Sequence, residues 1–218
     1  MKKVIIVTSG AGFVGSNLIK YLLIKTKCNI YSIDNYSSGT KKNHIVSKRV
    51  KYINGNTINI NKILSKQKKN IITIFHFGEF SRIFQSFKKF HQCYDSNSIG
   101  TKEVFKFCLD NKIKLIYSAT SASLGQSRRF THIDDTIKIC YKAWKANKCR
   151  HYSISHKKNY TIKEVADMFK TRIKYLPPRP GERFASSLTN MSLNNRVIKK
   201  YGKISLKNYV YSIIKNRI

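Results

Sequence analysis

The sequence predicts an α/β fold, a parallel sheet with flanking helices, on two observations. Short apolar runs alternate with helix-spaced stretches through the first half of the chain, the pattern of strands joined by crossover helices. The first of those runs ends in a glycine-rich turn that opens directly into an apolar stripe of helical spacing. At 218 residues the chain can bury one sizeable core and still carry a small appended lobe without metals or disulfides.

Taken in order, residues 3–8 read as the first strand, and residues 16–25 as a helix with Leu18, Ile19, Leu22 and Leu23 on one stripe. Strands follow at 29–33, 50–53, 71–76 and 114–118. Between the last two, residues 98–111 place Val104, Phe105, Phe107, Cys108 and Leu109 on a helix. Beyond Gly125 the texture is mixed, with helices expected at 134–146 and 162–169 and a turn at 177–181. Thr161 and Glu164 have the spacing of a capping box.

The five cysteines, Cys28, Cys93, Cys108, Cys140 and Cys149, are scattered, with no pair two residues apart, and read as reduced structural thiols. No apolar run is long enough to span a membrane, and the short apolar start ends at a glycine loop, so a cytoplasmic protein with no membrane partner is expected. The formal charge of +33 would attract phosphate backbones. Its lysines are instead dispersed as pairs along the whole chain, without a basic tail or arginine-rich helix, and the accompanying Ile, Asn, Tyr and Phe are residues that AT-rich codons encode. Nucleic-acid binding is therefore a minor reading.

The chemistry begins at Gly10-Ala11-Gly12-Phe13-Val14-Gly15. A strand that ends in such a turn lets backbone N–H groups approach a pyrophosphate, and the helix dipole behind it favours negative charge. Gly10, Gly12 and Gly15 stand where that geometry needs small residues, with Phe13 and Val14 between them. Roughly 20 residues further on, Asp34 closes the second strand, placed to accept hydrogen bonds from a ribose and to repel a 2'-phosphate. NAD is the expected cofactor.

The stretch from Val7 to Asn17 resembles the opening of the NAD-dependent nucleotide-sugar epimerases and dehydratases, which belong to the extended short-chain dehydrogenases/reductases. The likeness implies a Rossmann-like sheet. It departs at Ser9, where the family usually has a glycine before the Gly10 position. Asp34-Asn35-Tyr36-Ser37-Ser38-Gly39 resembles the family's ribose-binding segment, which implies Asn35, Ser38 and Gly39 as further cofactor contacts. Gly55-Asn56-Thr57 lies where the family has an acid over the adenine, so Asn56 and Thr57 are implied there. Phe77, Gly78 and Glu79 follow the fourth strand as the family's cofactor-lining segment does, while His76 reads as a satisfied core histidine. Asn97 with Gly100-Thr101 is similar to the family's helix-opening motif. The likeness to the Ser-rich segment puts Thr120 at the catalytic Ser/Thr position, and Arg128 and Arg179 look like the arginines that hold the diphosphate of a nucleotide sugar.

The family's tyrosine base, with a lysine one helical turn later, has no counterpart after the Ser-rich strand. Gly125 runs into Gln126-Ser127-Arg128-Arg129-Phe130, similar to a much later family segment, so a large internal block is absent and the sheet is expected to be shortened. With that block goes the family's dimer interface. Two pairs match by letter, Tyr21 with Lys25 and Tyr141 with Lys145, but the resemblance puts Tyr141 in the substrate lobe, away from the nicotinamide. Two domains are expected, an NAD-binding domain over 1–125 and the remnant of a nucleotide-sugar lobe over 126–218. The implied activity is 4-epimerisation or dehydration of a nucleotide sugar, first a UDP-sugar, in polysaccharide biosynthesis. The alternatives are a non-catalytic NAD or nucleotide-sugar binder, a basic nucleic-acid-binding protein, and a poorly folding deletion product with an exposed sheet edge.

Overall fold

The structure is a computed structural model that describes residues 2–118, 127–148, 150–175 and 197–216. The chain divides into two compact units, Met1–Ala119 and Thr120–Ile218.

In the first unit the order is β1 (Val4–Thr8), α1 (Phe13–Lys25), β2 (Asn29–Asp34), β3 (Val50–Asn54), α2 (Ile60–Ile63), β4 (Ile71–His76), α3 (Ile83–Lys88), α4 (Phe90–Tyr94), α5 (Thr101–Asp110) and β5 (Lys114–Tyr117). The strands form one parallel sheet in the order β3-β2-β1-β4-β5. The chain winds outward on both sides of β1, so the switch point, and the crevice that goes with it, lies between β1 and β4.

The central strands read as continuous apolar runs because both of their faces are covered. All five residues of β1 are buried, as are five of the six in β4. One core cluster gathers Val4 and Ile6 from β1, Ile33 from β2, Ile74 from β4, Ile60 from α2, and Val104 and Phe107 from α5. Truncating a fully buried phenylalanine such as Phe107 to alanine would cost about 3–5 kcal/mol. On α1, Leu18, Ile19 and Leu22 are buried. Arg49, just ahead of β3, closes the C-terminal end of that helix by donating to Leu23 O at 2.6 Å and to Thr26 O at 2.7 Å, carbonyls with no partner inside the helix.

The helix α1 begins at Phe13, three residues earlier than the apolar stripe suggests, because Gly12 serves as its N-cap. The helix expected at 98–111 is α5, entered from α4 through one turn of π-helix at Asp95–Gly100. Its five apolar residues do not share one face: Val104, Phe107 and Cys108 are buried, whereas Phe105 and Leu109 are exposed, Leu109 by 80%. α2, α3 and α4 are too short to give a helical stripe in the sequence.

The second unit contains β6 (Ser127–Arg128), α6 (Ile133–Ala146), β7 (His151–His156), β8 (Tyr160–Thr161), α7 (Ile162–Met168), β9 (Val197–Gly202) and α8 (Leu206–Lys215). β6 pairs antiparallel with β8, and β7 pairs parallel with β9. The buried Asp135 of α6 ties down the chain after β9, its Oδ2 accepting from Lys203 N at 2.8 Å and Ile204 N at 2.9 Å. The capping box of α7 is formed: Thr161 Oγ1 accepts from Glu164 N and Glu164 Oε2 accepts from Thr161 N. Hydrogen bonds from the Thr161 amide and then from its hydroxyl hold the Glu164 carboxyl below its ordinary pKa. The turn expected at 177–181 lies outside the described residues.

Beneath the glycine turn, the buried hydroxyl of Ser32 has no hydrogen-bond partner among the described residues. An orphaned buried hydroxyl is destabilising by about 1–3 kcal/mol. Ser32→Ala is expected to leave the urea midpoint unchanged or to raise it; a loss above about 1 kcal/mol would contradict an orphaned hydroxyl.

Candidate nucleotide-binding site

The turn between β1 and α1 is built by close approach of backbone to backbone. A Cβ on Gly15 would lie 2.2 Å from Ser9 O and 2.7 Å from the α-carbon of Gly10. One on Gly10 would lie 2.3 Å from Ser32 Oγ. Both distances are far inside van der Waals contact, so only glycine fits at these two positions. Ser9 itself has φ of 56°, the left-handed region that glycine adopts without strain. The substitution noted in the sequence therefore falls on a residue whose backbone favours glycine, and its side chain points back at the loop, 3.1 Å from where a Cβ on Gly12 would be.

The first turn of α1 has no side-chain cap and no acidic residue. Its amides are thus open to an anion, as the dipole requires. Phe13 is 67% exposed at this end, Val14 half-buried.

Asp34 ends β2 and is buried. Its Oδ2 accepts from Ala11 N at 2.9 Å and its Oδ1 from Tyr36 N at 2.8 Å, which fixes the carboxylate beside the turn. Each carboxylate oxygen keeps lone pairs for a further donor. A Cβ on Gly39 would meet both oxygens at 2.9 and 3.0 Å, so glycine there leaves the carboxylate approachable. Asn35 and Ser38 are exposed alongside, with Asn35 Oδ1 accepting from Ser37 N. The loop after them is fastened to the glycine turn at Ala11 O, which accepts from Thr40 N at 3.1 Å and Asn43 Nδ2 at 2.8 Å.

At the end of β3, Asn56 caps a short 3-10 turn, its Oδ1 accepting from Ile58 N at 3.1 Å, and Thr57 is buried against Gly100. These two expected adenine contacts thus also have structural work of their own.

On the other side of the switch point, Thr8 Oγ1 accepts from Phe77 N and from Gly78 N, each at 3.0 Å. With both lone pairs taken, the hydroxyl donates its proton to His76 Nδ1, 2.7 Å away. That fixes the neutral Nε2–H tautomer, which donates to Thr101 Oγ1 at 3.0 Å. Burial lowers the His76 pKa from 6.5 to about 4, in keeping with a ring whose two nitrogens are satisfied without charge. His76 is the satisfied core histidine the sequence suggested. Asn97 clamps the segment further along: its Oδ1 accepts from Phe80 N at 2.6 Å and its Nδ2 donates to Phe80 O at 3.0 Å. Glu79 lies between these anchors and accepts a 2.6 Å hydrogen bond from the phenol of Tyr117, at the end of β5. Sequence reasoning missed Tyr117, whose only signal was its place at the end of a strand.

Of the remaining expected residues, Thr120 and Arg179 lie outside the described residues, and Arg128 is in β6 of the second unit. The two tyrosine–lysine pairs lie on α1 (Tyr21 and Lys25) and on α6 of the second unit (Tyr141 and Lys145). Lys25 is the last residue of the 13-residue α1, about 20 Å of helix away from the glycine turn, and Lys145 of α6 lies 5.5 Å over the Trp144 ring.

A parallel sheet with a glycine turn at its switch point and an acid closing the second strand defines a Rossmann-type dinucleotide site. The family model for the NAD dependent epimerase/dehydratase family matches residues 5–129, and the chain belongs to that family. Among solved structures, it is similar to UDP-glucose 4-epimerase from Thermotoga maritima with UDP-glucose, at 14% identity and a TM-score of 0.77 over 97% of this chain and 97% of that one. The Bordetella bronchiseptica enzyme WbmG in complex with NAD and UDP matches at 15% identity and a TM-score of 0.70, over 97% and 92%. UDP-glucose 4-epimerase from Bifidobacterium longum with NAD+ and UDP matches at 19% identity and a TM-score of 0.51, over 71% of this chain and 53% of that one. The five-stranded sheet is shorter than that of full epimerases.

The neutral His76 gives a test by pH. Because its folded pKa lies below the unfolded value, its contribution is complete above pH 6.5 and is lost as pH falls toward 4. The loss is at most roughly 3 kcal/mol. Resistance of the native chain to denaturation is expected to fall through that window more steeply than that of His76→Gln; identical pH slopes would contradict a buried neutral imidazole.

Proposed function

We propose that the chain binds NAD along the carboxyl edge of the sheet and takes a nucleotide sugar, first a UDP-sugar, as its partner. The observation that carries the reading is the cradle itself: glycines whose Cβ atoms would collide with the turn, uncapped α1 amides, and Asp34 fixed beside them. The residues present fit the cofactor. Gly10, Gly12 and Gly15, with Phe13 and Val14, would border the pyrophosphate. Asp34 would accept from the adenosine ribose and repel a 2'-phosphate, with Asn35, Ser38 and Gly39 beside it. Asn56 and Thr57 would flank the adenine, and Phe77, Gly78, Glu79 and Asn97 the nicotinamide side.

When bound, NAD supplies a hydride acceptor for a sugar carbon. The chain's share of 4-epimerisation or dehydration would be to hold the sugar and receive a hydroxyl proton. Thr120 would hydrogen-bond the sugar oxygen, and Arg128 and Arg179 would grip the diphosphate through bidentate contacts. Residues 1–125 are thus an NAD-binding domain and 126–218 a shortened nucleotide-sugar lobe without the family's dimer interface. A cytoplasmic isomerase of polysaccharide biosynthesis is the setting in which that activity belongs.

The lack of a Tyr-x-x-x-Lys after the Ser-rich strand of the sequence favours a second reading, a non-catalytic NAD or nucleotide-sugar binder. Lack of a positioned base removes about 10²- to 10⁴-fold from the rate by that effect alone.

Calorimetry with NAD tests the shared part. Saturable heat is expected, with affinity at least tenfold weaker in Asp34→Ala; no heat, or binding indifferent to that substitution, would contradict the site. Incubation with UDP-glucose then separates the readings. A 4-epimer supports the enzyme, and none from NAD-loaded protein supports the binder.

A further inference from the structure

The carboxyl edge holds one charged group that the cradle does not use. Glu79 follows β4 directly, after the two residues whose amides Thr8 holds. Its partner is a neutral phenol, Tyr117, at 2.6 Å. That phenol is braced by the His76 ring at 5.7 Å and by the edge of Phe105 at 5.3 Å. Partial burial first, and then the hydrogen bond and charge of Glu79, push the phenol pKa up to about 12, so Tyr117 stays the donor at neutral pH. In a chain with 43 lysines and arginines and only 10 acids, a carboxylate would be expected to find a cation. Yet among the described residues no ion pair includes Glu79. A neutral donor fixes a carboxylate without cancelling its charge.

The position of that charge along the cofactor follows from the cradle. With the adenosine ribose at the end of β2 and the pyrophosphate at the β1–α1 turn, the other half of the dinucleotide would lie on the β4 side of the switch point. The oxidised nicotinamide ring carries a positive charge that the reduced ring lacks.

We propose that Glu79, held by Tyr117, makes this site selective for oxidised over reduced NAD. The inference rests on the NAD reading above and deepens it. A carboxylate at this end stabilises the cofactor before hydride transfer and opposes its reduction, which suits a site that holds NAD rather than one that cycles it.

The test measures dissociation constants of NAD and NADH at pH 7.5 for the full chain, by calorimetry and by NADH fluorescence. Glu79→Gln keeps an acceptor for Tyr117 and removes only the charge. Tyr117→Phe keeps the charge and frees it to move. The native chain is expected to bind NAD at least tenfold more tightly than NADH. Glu79→Gln should lower that ratio by about tenfold, equivalent to ~1.4 kcal/mol, mainly by weakening NAD. Tyr117→Phe should lower it less. Unchanged melting temperatures would show that both variants fold. A ratio unaltered by Glu79→Gln, or a native preference for NADH, would overturn this proposal alone. Failure of the native chain to bind either nucleotide would overturn the NAD reading and this proposal together.

Discussion

The hydroxyl of Thr8 is the joint on which the carboxyl edge depends. It stands at the end of the central strand, accepts from two successive amides beyond β4, and donates to a buried imidazole that is bonded in turn to Thr101 at the start of α5. Thr8 therefore links β1 to β4 and, through His76, to the first residue of α5. A second constraint meets it on the other flank, where Gly15 packs onto Ser9 O so tightly that a methyl group could not be inserted. Together they hold Phe77 and Gly78 on one flank and the glycine turn on the other.

Much of this was legible in the sequence because its signals are local. The β-branched runs of β1 and β4 mark buried parallel strands, and the glycine spacing marks a turn that only small residues can make. The capping box of α7 is likewise written in two residues three apart. The rest depends on contacts remote in sequence. Nothing near Asn97 indicates that its amide brackets the backbone of Phe80, and nothing near Tyr117 indicates Glu79, 38 residues away. The strands β7 and β9 escaped because His-Tyr-Ser-Ile-Ser-His and Val-Ile-Lys-Lys-Tyr-Gly are too polar to resemble buried strands and pair only with each other.

The far edge of the sheet explains the unusual surface of α5. β5 pairs on one side with β4 and has no strand on its other side among the described residues. Phe105 and Leu109, which the sequence places on the same helix as the core, are correspondingly exposed, and Tyr117 is 38% exposed. An edge of this kind is an aggregation hazard unless covered or charged. Several lysines of the chain lie over aromatic rings, such as Lys158 at 4.9 Å from the Tyr160 ring centroid. Lysines occur along the sequence of both units.

Amide-resolved NMR of the labelled chain titrated with NAD tests whether the glycine turn and the segment after β4 form one dinucleotide site. Shifts are expected to concentrate at Gly10, Gly12, Gly15, Phe77 and Gly78. Saturable NAD binding that left those amides unmoved, with shifts spread instead over the lysine-rich surface, would contradict that single site.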